Sequence, residues 1–364
     1  MRVAEASQGM YCAHVVGARP NFMKAAPVVR AMAQKPGVRQ VLVHTGQHYD
    51  QNMSDVFFRE LEIPEPDFNL AVGSGTHAAQ TGQIMMRFEP VVKKDRPDCV
   101  LVYGDVNSTI AAALVCSKLG IPVAHVEAGL RSFDRSMPEE INRLLTDQIA
   151  DLLFTPSEDG DRNLLREGIP AERIRFVGNV MIDTLVRLLP KAAAALPARL
   201  PGAYALVTLH RPSNVDEPPM LQEILRVLDQ ISRELPVIFP IHPRTAQRIA
   251  QLGFHPGENF HFWEPQSYLQ FLALQQKATV VITDSGGIQE ETTFLGVPCL
   301  TVRDSTERPV TVEVGTNILV GRDLKRLQSE VCSLLRGRRK QGKIPPLWDG
   351  NAAQRIAAII CERG

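Results

Sequence analysis

Short apolar runs rich in β-branched residues alternate along this chain with stretches of helical pattern. The first half carries YCAHVVG (11–17), RQVLVH (39–44), DCVLVYG (98–104), IPVAHVE (121–127), DLLFTP (151–156) and RIRFVGN (173–179). The second carries YALVTLH (204–210), PVIFPIH (236–242), ENFHFWE (258–264), TVVITD (279–284), VPCLTV (297–302) and TNILVG (316–321). Continuous apolar runs of this length predict strands buried on both faces. Helical segments lie between them, among them NSTIAAALVCSKLG (107–120), whose Asn-Ser start offers a cap. Strand–helix alternation predicts parallel sheets, here an α/β chain of two Rossmann-like doubly wound domains facing a central cleft. An Ala/Pro stretch, KAAAALPARLPGAY (191–204), separates the halves. The expected division is 1–185 and 186–349, with the final helix, 350–364, crossing back to the first domain.

Composition narrows the class. At 364 residues the chain suits two cores rather than one. Forty basic and forty acidic residues balance, which argues against nucleic acid or an anionic membrane as partner. No run approaches the ~18 apolar residues of a membrane span, and MRVAEASQGM at the start has no apolar signal core. The expected location is cytoplasmic. The six cysteines are scattered without a CxxC pair and read as free thiols rather than disulfides or a zinc site.

Doubly wound sheets bind ligands at the carboxyl ends of their strands, and here those ends are polar. Gly17-Ala18-Arg19, Gly104-Asp105 and His125-Val126-Glu127 follow strands of the first half. His210-Arg211, His242-Pro243-Arg244 and Asp284-Ser285-Gly286-Gly287 follow strands of the second. Arg211 and His242 are therefore substrate-binding candidates. The segment 284–291 runs from a strand into a helix. Its glycines let backbone N–H groups approach an anion, and the helix N-terminus adds partial positive charge, so a diphosphate fits without a metal. Other matches carry less. Gly73-Ser-Gly75 lacks the strand and acidic partner of a dinucleotide fingerprint. His44 and His48 have ligand-like spacing but no third ligand nearby. Ser285 lacks the G-x-S-x-G frame of a nucleophile elbow. No metal and no cofactor is expected.

The co-linear segments Gly17–Lys24, Gly104-Asp105, His125–Arg131, Pro138–Arg143, Thr208–Arg211, Asp284–Glu291 and Glu307-Arg308-Pro309 resemble the non-hydrolysing UDP-N-acetylglucosamine 2-epimerases, from about residue 11 to the C-terminus. The resemblance implies a GT-B fold, a homodimer, a UDP-sugar substrate and no redox cofactor. It implies loss of UDP across C1–C2 to give 2-acetamidoglucal, then re-addition with the C2 proton delivered to the opposite face. Asp105, Glu127, Glu139 and His210 match the family's catalytic groups. Arg19, Lys24 and Arg131 match cations near the substrate, and Ser285, Gly286, Gly287, Glu291 and Arg308 match the nucleotide side. The competing local reading pairs Glu127 with Arg131, makes Glu139 a first-turn helix charge, and leaves Glu291 solvated.

The sequence also departs from the best-known bacterial members. Asn21 replaces a glutamate, Asp50 stands where a second glutamine follows Gln47-His48, and Gln83 takes a helical arginine's place, with Arg87 one turn on. The changes at Asp50 and Gln83 predict weakening of the regulatory second UDP-GlcNAc site found in such members. They also leave room for a related branch acting on UDP-2,3-diacetamido-2,3-dideoxyglucuronic acid, whose carboxylate would need a cation such as Arg135. A hydrolysing relative, a GT-B glycosyltransferase and a UDP-sugar-binding protein complete the alternatives.

Overall fold

The computed structural model describes residues 9–47, 61–197 and 200–362. The first sheet contains β1 (Tyr11–Val16), β2 (Arg39–His44), β3 (Phe68–Asn69), β4 (Cys99–Tyr103), β5 (Val123–Val126), β6 (Leu152–Thr155) and β7 (Ile174–Phe176). The second contains β8 (Ala205–Thr208), β9 (Val237–Pro240), β10 (Phe260–Trp263), β11 (Val280–Thr283), β12 (Cys299–Thr301) and β13 (Asn317–Leu319). Every pairing is parallel. The strand orders are β3-β2-β1-β4-β5-β6-β7 and β10-β9-β8-β11-β12-β13. Both are the doubly wound order, and each reverses direction at one point: between β1 and β4 in the first sheet, between β8 and β11 in the second.

All twelve runs read as strands form strands. The exception is β3, a two-residue pairing with both side chains exposed, which has no apolar signature. The expected Asn-Ser cap does not form either. Val106 occupies the cap of the helix Asn107–Lys118, and Asn107 instead donates 2.8 Å to Gln80 Oε1. Contacts divide the chain into Met1–Thr184 with Pro346–Gly364, and Leu185–Pro345. The returning segment is fastened to the first unit by polar contacts. Trp348 Nε1 donates 2.9 Å to the Pro156 carbonyl, and Asp183 accepts from the Ala352 and Ala353 N–H groups at 3.2 and 2.7 Å. All six cysteines are free. Among the described residues no helix is long and apolar enough to cross a membrane.

The strands bury continuous apolar stacks: Val15, Val43, Val100 and Val102 in the first unit, Val207, Phe239, Ile282 and Leu300 in the second. One polar tie interrupts the first core. His14 on β1 contacts Tyr103 Oη of β4 at 2.6 Å and Gln40 Oε1 of β2 at 2.9 Å. Burial pushes His14 down to about 4, so it accepts from Tyr103 and donates to Gln40. Burial pushes Asp183 the other way, up to about 6, against the two N–H donors.

These two groups oppose each other as pH falls. The unfolded chain protonates His14 first, from about 6.5 down to about 4, so stability is lost there. The folded chain protonates Asp183 first, from about 6 downward, so stability is gained. Asp183→Asn is therefore expected to unmask the histidine. Between pH 7 and 4 it loses about 3 kcal/mol more stability than the Asp183→Asn/His14→Gln double variant, by denaturant titration. Parallel stability curves for the two would contradict this.

Candidate active site

The carboxyl ends of β1 and β4 meet at the first reversal. Here β1 ends in Gly17, where an added Cβ would lie 2.0 Å from Ser108 Oγ, so only glycine fits. Asn21, on the first turn of the helix Arg19–Ala33, bridges the two strand ends. Its Oδ1 accepts from the Gly17 and Ala18 N–H groups at 3.1 and 3.2 Å, and its Nδ2 donates 2.8 Å to the Tyr103 carbonyl. A glutamate could not make that donation. The substitution noted in the sequence thus has a structural job.

One turn further, Lys24 Nζ meets Glu127 Oε1 at 2.7 Å, with both side chains buried. Glu127 ends β5 with φ at 75°, a left-handed backbone that a side chain adopts at a cost. The neighbouring Gly104 has φ at 63°, and a Cβ there would lie 2.6 Å from Lys24 Nζ. Asp105 follows, half-buried. Arg143 holds its Oδ2 through Nη2 at 2.7 Å and Nε at 3.0 Å, and Asn142 Nδ2 holds its carbonyl at 2.8 Å. Two carboxylates, each held by a buried cation, therefore stand at the ends of the neighbouring strands β4 and β5. The Glu127–Arg131 pair considered from sequence does not form.

Arg131 is instead spent beneath the site. Its guanidinium pairs with Asp147 at 2.7 Å and Glu167 at 2.6 Å, with 1% of the side chain exposed. The residue that the resemblance matches to a substrate-side cation is thus buried in an ion-pair cluster. Asp147 in turn meets His125 Nδ1 at 2.7 Å, and His125 Nε2 reaches the Gly104 carbonyl at 2.8 Å. Burial would raise Asp147, but His125 and Arg131 outweigh it and hold it below the usual carboxylate range. The chain of contacts ends on the peptide that carries Asp105.

The helix Pro138–Ile149 presents Glu139 to solvent in its first turn and buries Glu140. Glu140 accepts from Ser132 N, Ser132 Oγ and Phe133 N at 2.9–3.0 Å, and pairs with Arg143. One arginine thus anchors both Asp105 and the loop after Arg131. Sequence reading passed over Arg143 as a site residue, although its i, i+3 spacing from Glu140 was visible. Arg19 opens the helix after Gly17, and its side chain lies outside what the structure describes.

The second reversal sits between β8 and β11. His210, 59% of whose side chain is exposed, lies with Nδ1 2.9 Å from the buried Asp284 Oδ1. Asp284 also accepts from the His210 and Arg211 N–H groups and from Asn214 Nδ2. Burial would raise its carboxyl, but the His210 bond and charge, with those donors, hold it low. Ser285 caps the helix Gly286–Leu295 with no side-chain bond into it, leaving the first turn at Ser285, Gly286 and Gly287 half-buried. Backbone N–H groups of a first turn have no partner within their helix.

Two nucleotide-side candidates are buried, Glu291 against its solvated reading. Glu291 is buried and accepts 2.8 Å from Tyr268 Oη. Arg308 is buried under the same helix, with Nε 2.9 Å from Glu290 and Nη1 on Glu307, which also takes Arg303 at 2.6 Å. Gly286 is needed there, because a Cβ would fall 2.4 Å from Arg308 Nη1. His242 is exposed, with Nδ1 accepting from the Arg244 N–H, and Arg211 is half-buried. Of the residues compared with the regulatory site of the best-known bacterial members, His48 and Asp50 lie outside those described. Gln47 Oε1 is taken by Ser108 N and Oγ, and Arg87 by the Leu70 and Ala71 carbonyls. Among the described residues no cluster of three or more His, Cys, Asp or Glu is arranged to hold a metal.

A family model described as UDP-N-acetylglucosamine 2-epimerase matches residues 30–361. The chain belongs to the UDP-N-acetylglucosamine 2-epimerase family. A protein of that name from Methanocaldococcus jannaschii is 44% identical over 359 residues, covering 95% of this chain and 97% of that protein. A UDP-2,3-diacetamido-2,3-dideoxy-D-glucuronate 2-epimerase from Pseudomonas aeruginosa is 42% identical over 353 residues, covering 96% and 98%. The crystal structure of the M. jannaschii epimerase in complex with UDP-GlcNAc and UDP matches with a TM-score of 0.88 at 42% identity, covering 98% and 100%. The fold is thus the GT-B fold of the 2-epimerase family, and the chain is a sugar-nucleotide isomerase by kinship.

Proposed function

We propose that this chain interconverts UDP-GlcNAc and UDP-ManNAc. The observation that supports this best is the pair of carboxylates at the neighbouring ends of β4 and β5: Asp105 on Arg143, and Glu127 on buried Lys24. The C2 proton of the sugar has no adjacent carbonyl, so direct deprotonation is inaccessible. A carboxylate instead takes the proton as the C1–O bond to UDP breaks, giving 2-acetamidoglucal and UDP. Re-addition returns a proton to the opposite face of C2 while the UDP oxygen bonds C1. Two fixed carboxylates suit a two-faced proton transfer, and Glu139 is exposed nearby in sequence for the same chemistry. The departing diphosphate is stabilised by the helix N-terminus at Ser285, Gly286 and Gly287. Glu291, Arg211 and His242 complete the nucleotide side. The family resemblance is what favours a homodimer.

The Pseudomonas relative carries the second reading, a diacetamido uronate as substrate. The test offers purified protein each UDP-sugar and follows products by NMR. UDP-GlcNAc is expected to give UDP-ManNAc. Turnover of the uronate alone would transfer the assignment to the other branch. Release of free sugar and UDP without epimerised nucleotide would contradict both.

A further inference from the structure

We propose that Asp284 is a positioning residue for the reaction, holding His210 in the tautomer that carries its proton on Nδ1 and turns Nε2 outward to the substrate. The inference deepens the epimerase reading, since it rests on His210 acting at the reacting sugar. It starts from the register of the second sheet. Thr208 and Thr283 are partners across β8 and β11, so the residues leaving the two strands emerge side by side. The Asp284 N–H bonds the Thr208 carbonyl at 3.3 Å, fixing the aspartate against the start of the His210 loop.

The two carboxylate oxygens divide their work. Oδ2 accepts from Arg211 N at 2.9 Å, His210 N at 3.1 Å and Asn214 Nδ2 at 3.0 Å, and so shapes the loop. Oδ1 faces the imidazole at 2.9 Å, with a longer 3.2 Å contact to His210 N. An ionised carboxylate only accepts, so Nδ1 must donate to it. The other ring nitrogen then has a lone pair to take a proton, or an N–H to give one, on the exposed side. The aspartate is fully buried while 59% of the histidine side chain is exposed, so the buried group orients and the exposed one reacts. Asp284 also keeps its charge, because the groups around it stabilise the anion.

This division makes Asp284→Asn informative. The amide oxygen can take over the Oδ2 contacts that hold the loop. The NH₂ group then faces Nδ1, which must become the acceptor, and the proton moves to Nε2. Loop and fold survive while the tautomer reverses. The experiment compares wild type, Asp284→Asn, His210→Asn and the double variant. Readouts are kcat, KM, UDP affinity by calorimetry, and imidazole ¹⁵N shifts, with His210 assigned by the signal lost in His210→Asn.

The expected result is an Nδ1–H His210 in wild type and an Nε2–H His210 in Asp284→Asn. That variant should lose about 10²-fold or more in kcat, with KM and UDP affinity nearly unchanged. The double variant should be no slower than the slower single. The proposal is overturned by an Nε2–H His210 in wild type, a readout that does not depend on the Asp284 variant. It is also overturned if Asp284→Asn retains near-wild-type kcat, or if it slows His210→Asn by its full factor. Wild-type turnover in His210→Asn would remove the histidine from the reaction itself, a failure of the underlying reading that the Asp284 variant alone does not produce.

Discussion

Glu127→Gln is expected to epimerise UDP-GlcNAc about 10²-fold or more slowly than the parent chain. The change is nearly isosteric, so the glutamine fits the left-handed position at the end of β5. What it loses is the ability to take a proton and the charge that balances Lys24. The Lys24 side chain is 6% exposed, and breaking a buried pair from one side costs about 3–5 kcal/mol. Slowing and destabilisation are therefore coupled in the single variant and separable in a double one. Lys24→Met added to Glu127→Gln removes the orphaned charge. It should recover much of the stability, measured by thermal unfolding, and leave the rate low. Near-wild-type turnover by Glu127→Gln would remove this carboxylate from the catalytic set.

The second large effect is expected at Arg143, which carries no proton in the reaction. Arg143→Met releases Asp105 and strands Glu140, whose side chain is 2% exposed, at a cost of about 3–5 kcal/mol. Epimerisation should fall about 10²-fold or more, because the Asp105 carboxylate loses the two guanidinium nitrogens that hold it and the loop after Arg131 loses its anchor. Arg143→Lys should regain part of the stability and little of the rate. A single ammonium cannot reproduce a planar fork that reaches two carboxylates. An Arg143→Met protein as stable and as fast as wild type would show that the fork is dispensable.

Much of the fold was legible in the sequence because fully buried parallel strands leave unbroken apolar runs, and loops between them need glycine, proline and polar caps. The two-residue β3 left no such trace. The site was legible as a set of residues and not as a set of partnerships. Glu127 and Arg131 are four residues apart, a spacing that suggests a pair in a helix, but Glu127 sits in a left-handed turn and meets Lys24 on a helix far away in sequence. Arg131 and Arg308 read equally well as anion ligands or as buried ion-pair partners. Only packing shows that Asp147 and Glu167 claim one, and Glu290 and Glu307 the other. Asp284 was legible as the start of the anion-binding turn 284–291, but nothing local reveals that its side chain reaches His210 on the neighbouring strand's loop.

The central claim is that the C2 proton leaves the sugar onto a protein carboxylate while UDP departs, and that a new proton arrives from the other face. Its most direct test is epimerisation of UDP-GlcNAc in deuterium oxide, followed by NMR from the earliest turnover. The account predicts UDP-ManNAc carrying deuterium at C2, with traces of 2-acetamidoglucal and UDP. Product that retains the original C2 proton at early times would contradict it.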